Sequence, residues 1–177
     1  AEANKPDKVL CRSADRGDEP GVRAALEAGA SPSAVKPNGW PVVVTAAFNQ
    51  HWGVVRILAE ADADLGATTP AGSTVLIQAA AKGAPTETVR LLLDRSADPN
   101  TRKKSGGTAI YIAAQNGHGD IIRLLLERKA DPELVVYEDD RTPLIVAAEN
   151  DHPDAIRALL EGGLAVDAQK NDGITAL

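Results

Sequence analysis

Three histidines, a run of three acidic residues, a single cysteine, a glycine-rich stretch and a short basic run are the residues of this chain that could do chemistry. His51, His118 and His152 could hold a metal or move protons if they converged, but they stand 67 and 34 residues apart, at one recurring place in a repeated pattern. That placement predicts an imidazole that serves each copy of the pattern, hydrogen-bonded to turn backbone between copies. Glu138-Asp139-Asp140 offers paired carboxylates with no basic or histidine partner nearby in sequence and no surrounding calcium-loop pattern, which predicts a solvated acidic tip. Cys11 is the sole cysteine, so no intrachain disulfide or multi-cysteine zinc site can form. It reads as a small buried hydrophobe rather than a reactive thiol. The stretch GATTPAGST, Gly66 to Thr74, lacks the Gly-Lys-Ser/Thr that a phosphate loop requires. Arg102-Lys103-Lys104 reads as an ordinary solvated turn. Since no nucleophile, base and orienting group occur together, the sequence predicts no enzyme, no catalytic residue, no metal site, no cofactor and no small-molecule substrate.

Composition narrows the remaining classes. With 44% hydrophobic and 25% charged residues the chain of 177 is ordinary for a folded protein, not a disordered one. A formal charge of -6 gives nucleic acid no global reason to bind, because phosphate contacts need clustered Lys and Arg. A protein partner fits better. Aromatic residues make up only 3%, so the core must be built from Ala, Leu, Val and Ile. No apolar run approaches the ~18 residues of a membrane span, and no direct membrane insertion is expected. The lone cysteine favours a reducing compartment, the cytoplasm first, with an organelle or other processed compartment left open. The chain opens at Ala1 with no signal or transit pattern, from which a preceding segment is expected to have been removed or to lie outside the sequence.

The elements that would position these residues repeat. Thr108 to Pro132 reads as two short helices joined at Asn116-Gly117-His118-Gly119, with apolar Ile110, Ala113, Ala114, Ile121, Ile122, Leu124 and Leu125 at helical spacing. Pairs equivalent to Ala113-Ala114 recur at Ser13-Ala14, Ala46-Ala47, Ala79-Ala80 and Ala147-Ala148, in steps of 33, 33, 34 and 34 residues. A threonine five residues before the pair recurs at Thr74, Thr108 and Thr142, and again, without its pair, at Thr175; Pro41 holds that place in the second unit. Five units follow, at about 6–36, 37–69, 70–102, 103–136 and 137–169, with a partial sixth at 170–177. The first, crowded by Asp15, Arg16, Asp18, Glu19 and Arg23, reads as a cap facing water on one side. Pro85 and Thr86 are expected to open the second helix of the third unit. Gly29 and Gly162 are expected in the left-handed position that ends a second helix, with Ala61, Ser96 and Lys129 in that turn elsewhere. Asn38-Gly39, Ala71-Gly72, Gly106-Gly107, Asp139-Asp140 and Asp172-Gly173 mark projecting loops or β-hairpins between units. The stop at Leu177 in mid-unit predicts a longer parent chain, or a partner that covers the open end.

A period of 33 residues with Thr142-Pro143-Leu144, Ala-Ala pairs, Gly117-His118, Leu91-Leu92-Leu93, Leu124-Leu125-Leu126 and the turn Ala97-Asp98-Pro99-Asn100 resembles the ankyrin repeat, from about Pro6 to Leu177. The resemblance implies an all-α solenoid of stacked helix-turn-helix units with β-hairpin-like loops, in one domain over 1–177. Stacked repeats in that family set successive histidines too far apart to share a metal. Two departures stand out. The histidine of the family's opening motif is replaced by Cys11, Val44, Ile77, Tyr111 and Ile145, which should pack as apolar groups, and Gln50 and Asp151 replace the glycine between helices, at roughly 1 kcal/mol each.

By the same resemblance, the loop tips and the two residues after each Ala-Ala pair line a concave face that binds other proteins. Those positions are Trp40, Phe48, Asn49, Ser73, Lys82, Gln115, Asn116, Arg141, Glu149 and Asn150, beside Ala81 and Gly107. Trp40 and Phe48 either face the partner or are buried between the first two units, and Trp52 is unassigned. The function implied is a non-catalytic protein-protein interaction module or scaffold. A targeting or regulatory segment of a larger enzyme, and a structural subunit of a large assembly, are the alternatives.

Overall fold

The computed structural model describes residues 5–134, 136 and 140–163, and every described element is helical. Contacts gather into two compact units, Ala1–Ala97 and Asp98–Leu177. The first holds α1 (Lys5–Arg16), α2 (Glu19–Glu27), α3 (Val42–Phe48), α4 (Trp52–Glu60), α5 (Val75–Lys82) and α6 (Thr86–Asp94). The second holds α7 (Ala109–Gln115), α8 (Gly119–Glu127), α9 (Pro143–Glu149) and α10 (Pro153–Glu161).

Most of these helices have seven to nine residues, below the length at which an isolated helix holds in water. Each therefore depends on burial. Consecutive helices pack as antiparallel pairs, and pairs stack: in the first unit α1, α3 and α5 form one layer and α2, α4 and α6 the other; in the second, α7 packs on α9 and α8 on α10. The inner layer is closed by the alanine pairs. Ala46, Ala47, Ala79, Ala80, Ala113, Ala114 and Ala147 are all fully buried, and with only a methyl group each they let neighbouring helices approach closely. Leu58, Leu92, Ile122, Leu125 and Leu159 fill the space towards the outer layer.

The threonines before the pairs start the helices. Thr74, Thr108 and Thr142 have extended backbones, and their hydroxyls accept the N–H of Ile77, Tyr111 and Ile145 at 3.3, 3.4 and 3.3 Å, satisfying one of the donors a helix start leaves open. Pro41 has no such side chain; there Thr45 donates its hydroxyl to the Pro41 carbonyl at 3.1 Å. The residues that stand where the family's histidine would be, Val44, Ile77, Tyr111 and Ile145, are buried as apolar packing. Cys11 is different. It is half-buried, because among the described residues α2 and α3 pack on α1 and leave its Cys11 side open to a hollow, and this corrects the expectation of a core residue.

Between helix pairs the chain turns in hairpins. Lys36 N–H donates to the Trp40 carbonyl and Gly39 N–H to the Lys36 carbonyl, both at 2.9 Å; the same two bonds recur at Thr69–Ser73 and Lys103–Gly107. Gly39, Gly72 and Gly106 have φ of 80°, 80° and 93°, where a side chain would be strained. The only bridge among the described residues is the antiparallel pair Val35 and Pro41. At the fifth unit Val136 pairs with Arg141, one residue further on, and Asp140 takes a φ of 50°. Glu138 and Asp139 of the expected acidic tip, the expected turn at Asp172-Gly173 and the partial sixth unit lie outside the described residues.

Thr86 opens α6 with Pro85 at its N-cap, as expected. Gln50 and Asp151 adopt φ of 63° and 55°, the left-handed strain expected of them. After the second helices, Gly29, Ser96 and Lys129 take the left-handed turn as expected, but elsewhere the position falls one residue later: Asp62 and Gly163, at φ of 59° and 89°, hold it instead of Ala61 and Gly162. The turn is the same in all five units: each second helix has nine residues and the left-handed residue stands two after its last one.

Thr108→Ala should cost about 1 kcal/mol through the lost cap, visible as a lower midpoint in urea unfolding. Thr108→Ser should recover most of it. Equal losses in the two variants would assign the effect to the buried methyl group instead.

Candidate functional site

Trp40 ends a hairpin and Phe48 ends α3, eight residues later. Their rings meet edge to face, with centroids 5.3 Å apart and planes at 81°, the arrangement that ring quadrupoles favour. Phe48 is 45% exposed, and Trp40 is half-buried, so neither is a core residue between the first two units. Lys82, at the end of α5, sets its ammonium 4.6 Å from the centre of the Phe48 ring. Such a cation–π contact contributes roughly 0.5–1 kcal/mol at an exposed site and holds the side chain of Lys82 over the ring.

Beside the rings lies a groove of about 360 Å³, bounded by Asp15, Lys36, Asn38, Trp40, Phe48 and Asn49. Lys36 reaches both carboxylate oxygens of Asp15 at 2.8 Å. Asn38 accepts the Trp40 N–H at 3.1 Å, and Asn49 donates to the Asp15 carbonyl at 3.5 Å. Asp15, Lys36 and Asn38 did not stand out in the sequence as site residues. Repeat equivalence carries the signal for one of them: Asp15 follows Ala14 as Phe48 follows Ala47.

The same eight-residue relation recurs in the second unit with other chemistry. Arg141, at the place of Trp40, donates to Glu149, at the place of Phe48, at 3.0 Å. Gln115, Asn116 and Asn150 are exposed, but the amides of Asn116 and Asn150 fold back onto the Ile112 and Val146 carbonyls at 2.8 Å, which occupies one N–H of each. Ser73 is not on the surface. It is 3% exposed, and its hydroxyl accepts from Gln78 Nε2 at 2.9 Å, because its hairpin turns the side chain inward against α5. Trp52 opens α4 and is half-buried, as is Arg102 in the basic run, whose Lys104 is exposed.

His51 Nε2 lies 3.2 Å from the Asp15 carbonyl and His152 Nε2 3.1 Å from the Gln115 carbonyl, each in the preceding repeat. Since a carbonyl only accepts, Nε2 carries the proton in both. The imidazoles thus tie one repeat's turn to the next, as the repeated placement predicts. Space for them comes from glycine: a Cβ on Gly17 or Gly117 would stand 2.7 Å from the Nδ1 of His51 or His152. Among the described residues no group of three His, Cys, Asp or Glu side chains could hold a metal, and no helix is long and apolar enough to cross a membrane.

Cys11 borders a second hollow, near Asp7, Asp15 and Lys36. Burial pushes its thiol up from the ordinary range, Asp15 adds to the shift, and Lys36 opposes it. The thiol is therefore the protonated, less nucleophilic form at neutral pH.

Comparison with known families agrees with the geometry. A family model described as ankyrin repeats in three copies matches residues 10–103 and 63–136, and a second, described as the ankyrin repeat, matches residues 139–171.

Gly17→Ala should destabilise the fold by about 2 kcal/mol, from left-handed strain plus the collision with His51. In a His51→Ala background only the ~1 kcal/mol of strain should remain; the same cost in both backgrounds in thermal unfolding would exclude the collision. Alkylation of Cys11 by iodoacetamide should rise at higher pH than for a free cysteine peptide. Lys36→Ala, which removes the opposing charge, should move the profile higher still, and a profile moving to lower pH would contradict the assignment.

Proposed function

We propose, on the premise that the chain belongs to the ankyrin repeat family, that it is a non-catalytic protein-interaction module acting as one domain, and that the partner lands on the face carrying the hairpins and the ends of the first helices. Repeats of this family generally mediate contact between proteins. The observation that supports the particular face is the Trp40–Phe48 pair: two of the chain's five aromatic residues, Phe48 45% exposed, stacked where a hairpin meets a helix end. A monomer gains little by placing large rings in water, whereas aromatic anchors carry much of the energy at interfaces.

Rigidity adds to the case. The rings rest on helices whose other sides are fully buried, and the hairpin below Trp40 is closed by paired backbone bonds. Little conformational freedom is left to lose on association. Asn49 and Lys82 extend the landing face beside the rings; Gln115, Asn116, Arg141, Glu149 and Asn150 are the corresponding polar positions of the second unit, and Ser73 drops out of the contact set because it is buried. The Arg141–Glu149 pair, about one-third exposed, is worth little to folding.

The double variant Trp40→Ala/Phe48→Ala tests this reading. Partners captured from the source cell and quantified by mass spectrometry should bind at least ~10-fold more weakly, while the unfolding midpoint moves little. Unchanged capture by the folded double variant would exclude the Trp40–Phe48 face as the landing site.

A further inference from the structure

The next step rests on that reading and concerns the chemistry of what lands. The acceptors around the groove are largely used. The Asp15 carboxylate takes two bonds from Lys36, the Asp15 carbonyl takes His51 and Asn49, and the Asn38 side-chain oxygen takes the Trp40 N–H. The donors are not. Among the described residues the Trp40 indole N–H has no hydrogen-bond acceptor, and the Lys82 ammonium has neither an acceptor nor a carboxylate partner, its one contact being the face of the Phe48 ring.

A second set of positions points the same way. Arg16 and Lys82 are the last residues of the inner helices α1 and α5, and Asn49 is the cap residue after α3 between them, at steps of 33 residues, so a cation stands one repeat to either side of Asn49. Arg16 is exposed and, like Lys82, has no ion-pair partner among the described residues. Asp15 is the negative group at the groove, and Lys36 neutralises it. The neighbourhood of the aromatic pair is thus locally positive and rich in free donors on a chain whose formal net charge is -6.

We infer that the groove and the Phe48 edge beside it, over which Lys82 stands, take a short acidic segment of the partner protein, with a carboxylate against Lys82 and an apolar side chain against the Phe48 and Trp40 rings. A carboxylate meets the donors that the fold leaves open, and the rings supply apolar area beside it. The net negative charge of the chain disfavours acidic segments on average, so the local cations help select where such a segment docks.

A random peptide library displayed on phage, panned on the full chain, provides the probe, and the selected peptides are then titrated as synthetic peptides. The enriched sequences should carry Asp or Glu next to Leu, Ile or Phe, and binding should weaken as salt rises. Lys82→Glu should weaken it at least ~10-fold, Lys82→Gln by less, and Lys82→Arg should preserve it. The glutamine variant keeps the test decisive if charge reversal disturbs the helix end. Enrichment of basic or uncharged peptides, no enrichment at all, or affinity indifferent to both Lys82→Glu and Lys82→Gln would overturn the inference. Peptides that need Trp40 and Phe48 but show no acidic preference would overturn it while leaving the landing face intact. Peptides that bind the Trp40→Ala/Phe48→Ala variant unchanged would remove both.

Discussion

The structure depends on one constraint: helices of seven to nine residues cannot persist alone, and each is held by the copies packed beside it. There is accordingly no central core in either unit. The apolar burial is distributed along the stack, pair on pair, and stability becomes a sum of neighbour contacts. Alanine is what makes the inner contact close. A larger residue at Ala47, Ala80 or Ala114, all at 0% exposure, would push the layers apart.

Polar groups obey the same neighbour rule. Every repeat ends in a turn whose backbone must be satisfied, and short side chains of adjacent repeats supply the partners. Ser33 accepts the Asp64 N–H at 2.9 Å and Asn100 accepts the Asp131 N–H at 2.7 Å, at equivalent places. Within the turns Asp64, Asp98 and Asp131 each accept the N–H two residues on, at 2.9 Å, which explains the recurring Ala-Asp. The histidine bonds to Asp15 and Gln115 belong to this framework too. All three histidines stand at one repeat position, and the two with a bond to the preceding repeat spend it on structure, which is why they mark no reactive centre.

Because packing and turn bonding are confined to framework positions, the remaining ones vary without cost to the fold. The pair eight residues apart shows this best: Trp40 and Phe48 stack as rings in one repeat, Arg141 and Glu149 form an ion pair in another. The backbone geometry is shared and the surface chemistry is not. A fold of this kind can change its surface chemistry from repeat to repeat while its framework positions stay the same.

Periodicity was enough to read the fold from the sequence. A 33-residue recurrence of Ala-Ala, capping threonine and paired helical patterns admits few arrangements, and the helix starts at Thr74, Thr108 and Thr142, the left-handed Gln50 and Asp151 and the inter-repeat role of His51 and His152 all follow from position within the repeat. What the sequence could not decide were matters of which neighbour is present. Cys11 sits at a place that is buried in other repeats, yet among the described residues its side of α1 opens to a hollow, so the thiol is half-exposed. Ser73 and Trp40 are equivalent by count, but a small hydroxyl turns in to Gln78 while an indole turns out to Phe48. Whether Lys82 meets a carboxylate or a ring depends on side chains two helices away in the chain, brought within 4.6 Å only by stacking. The repeat period thus determines the backbone, because it is a local and recurring signal; the tertiary packing decides exposure and pairing, because these depend on residues a full repeat away.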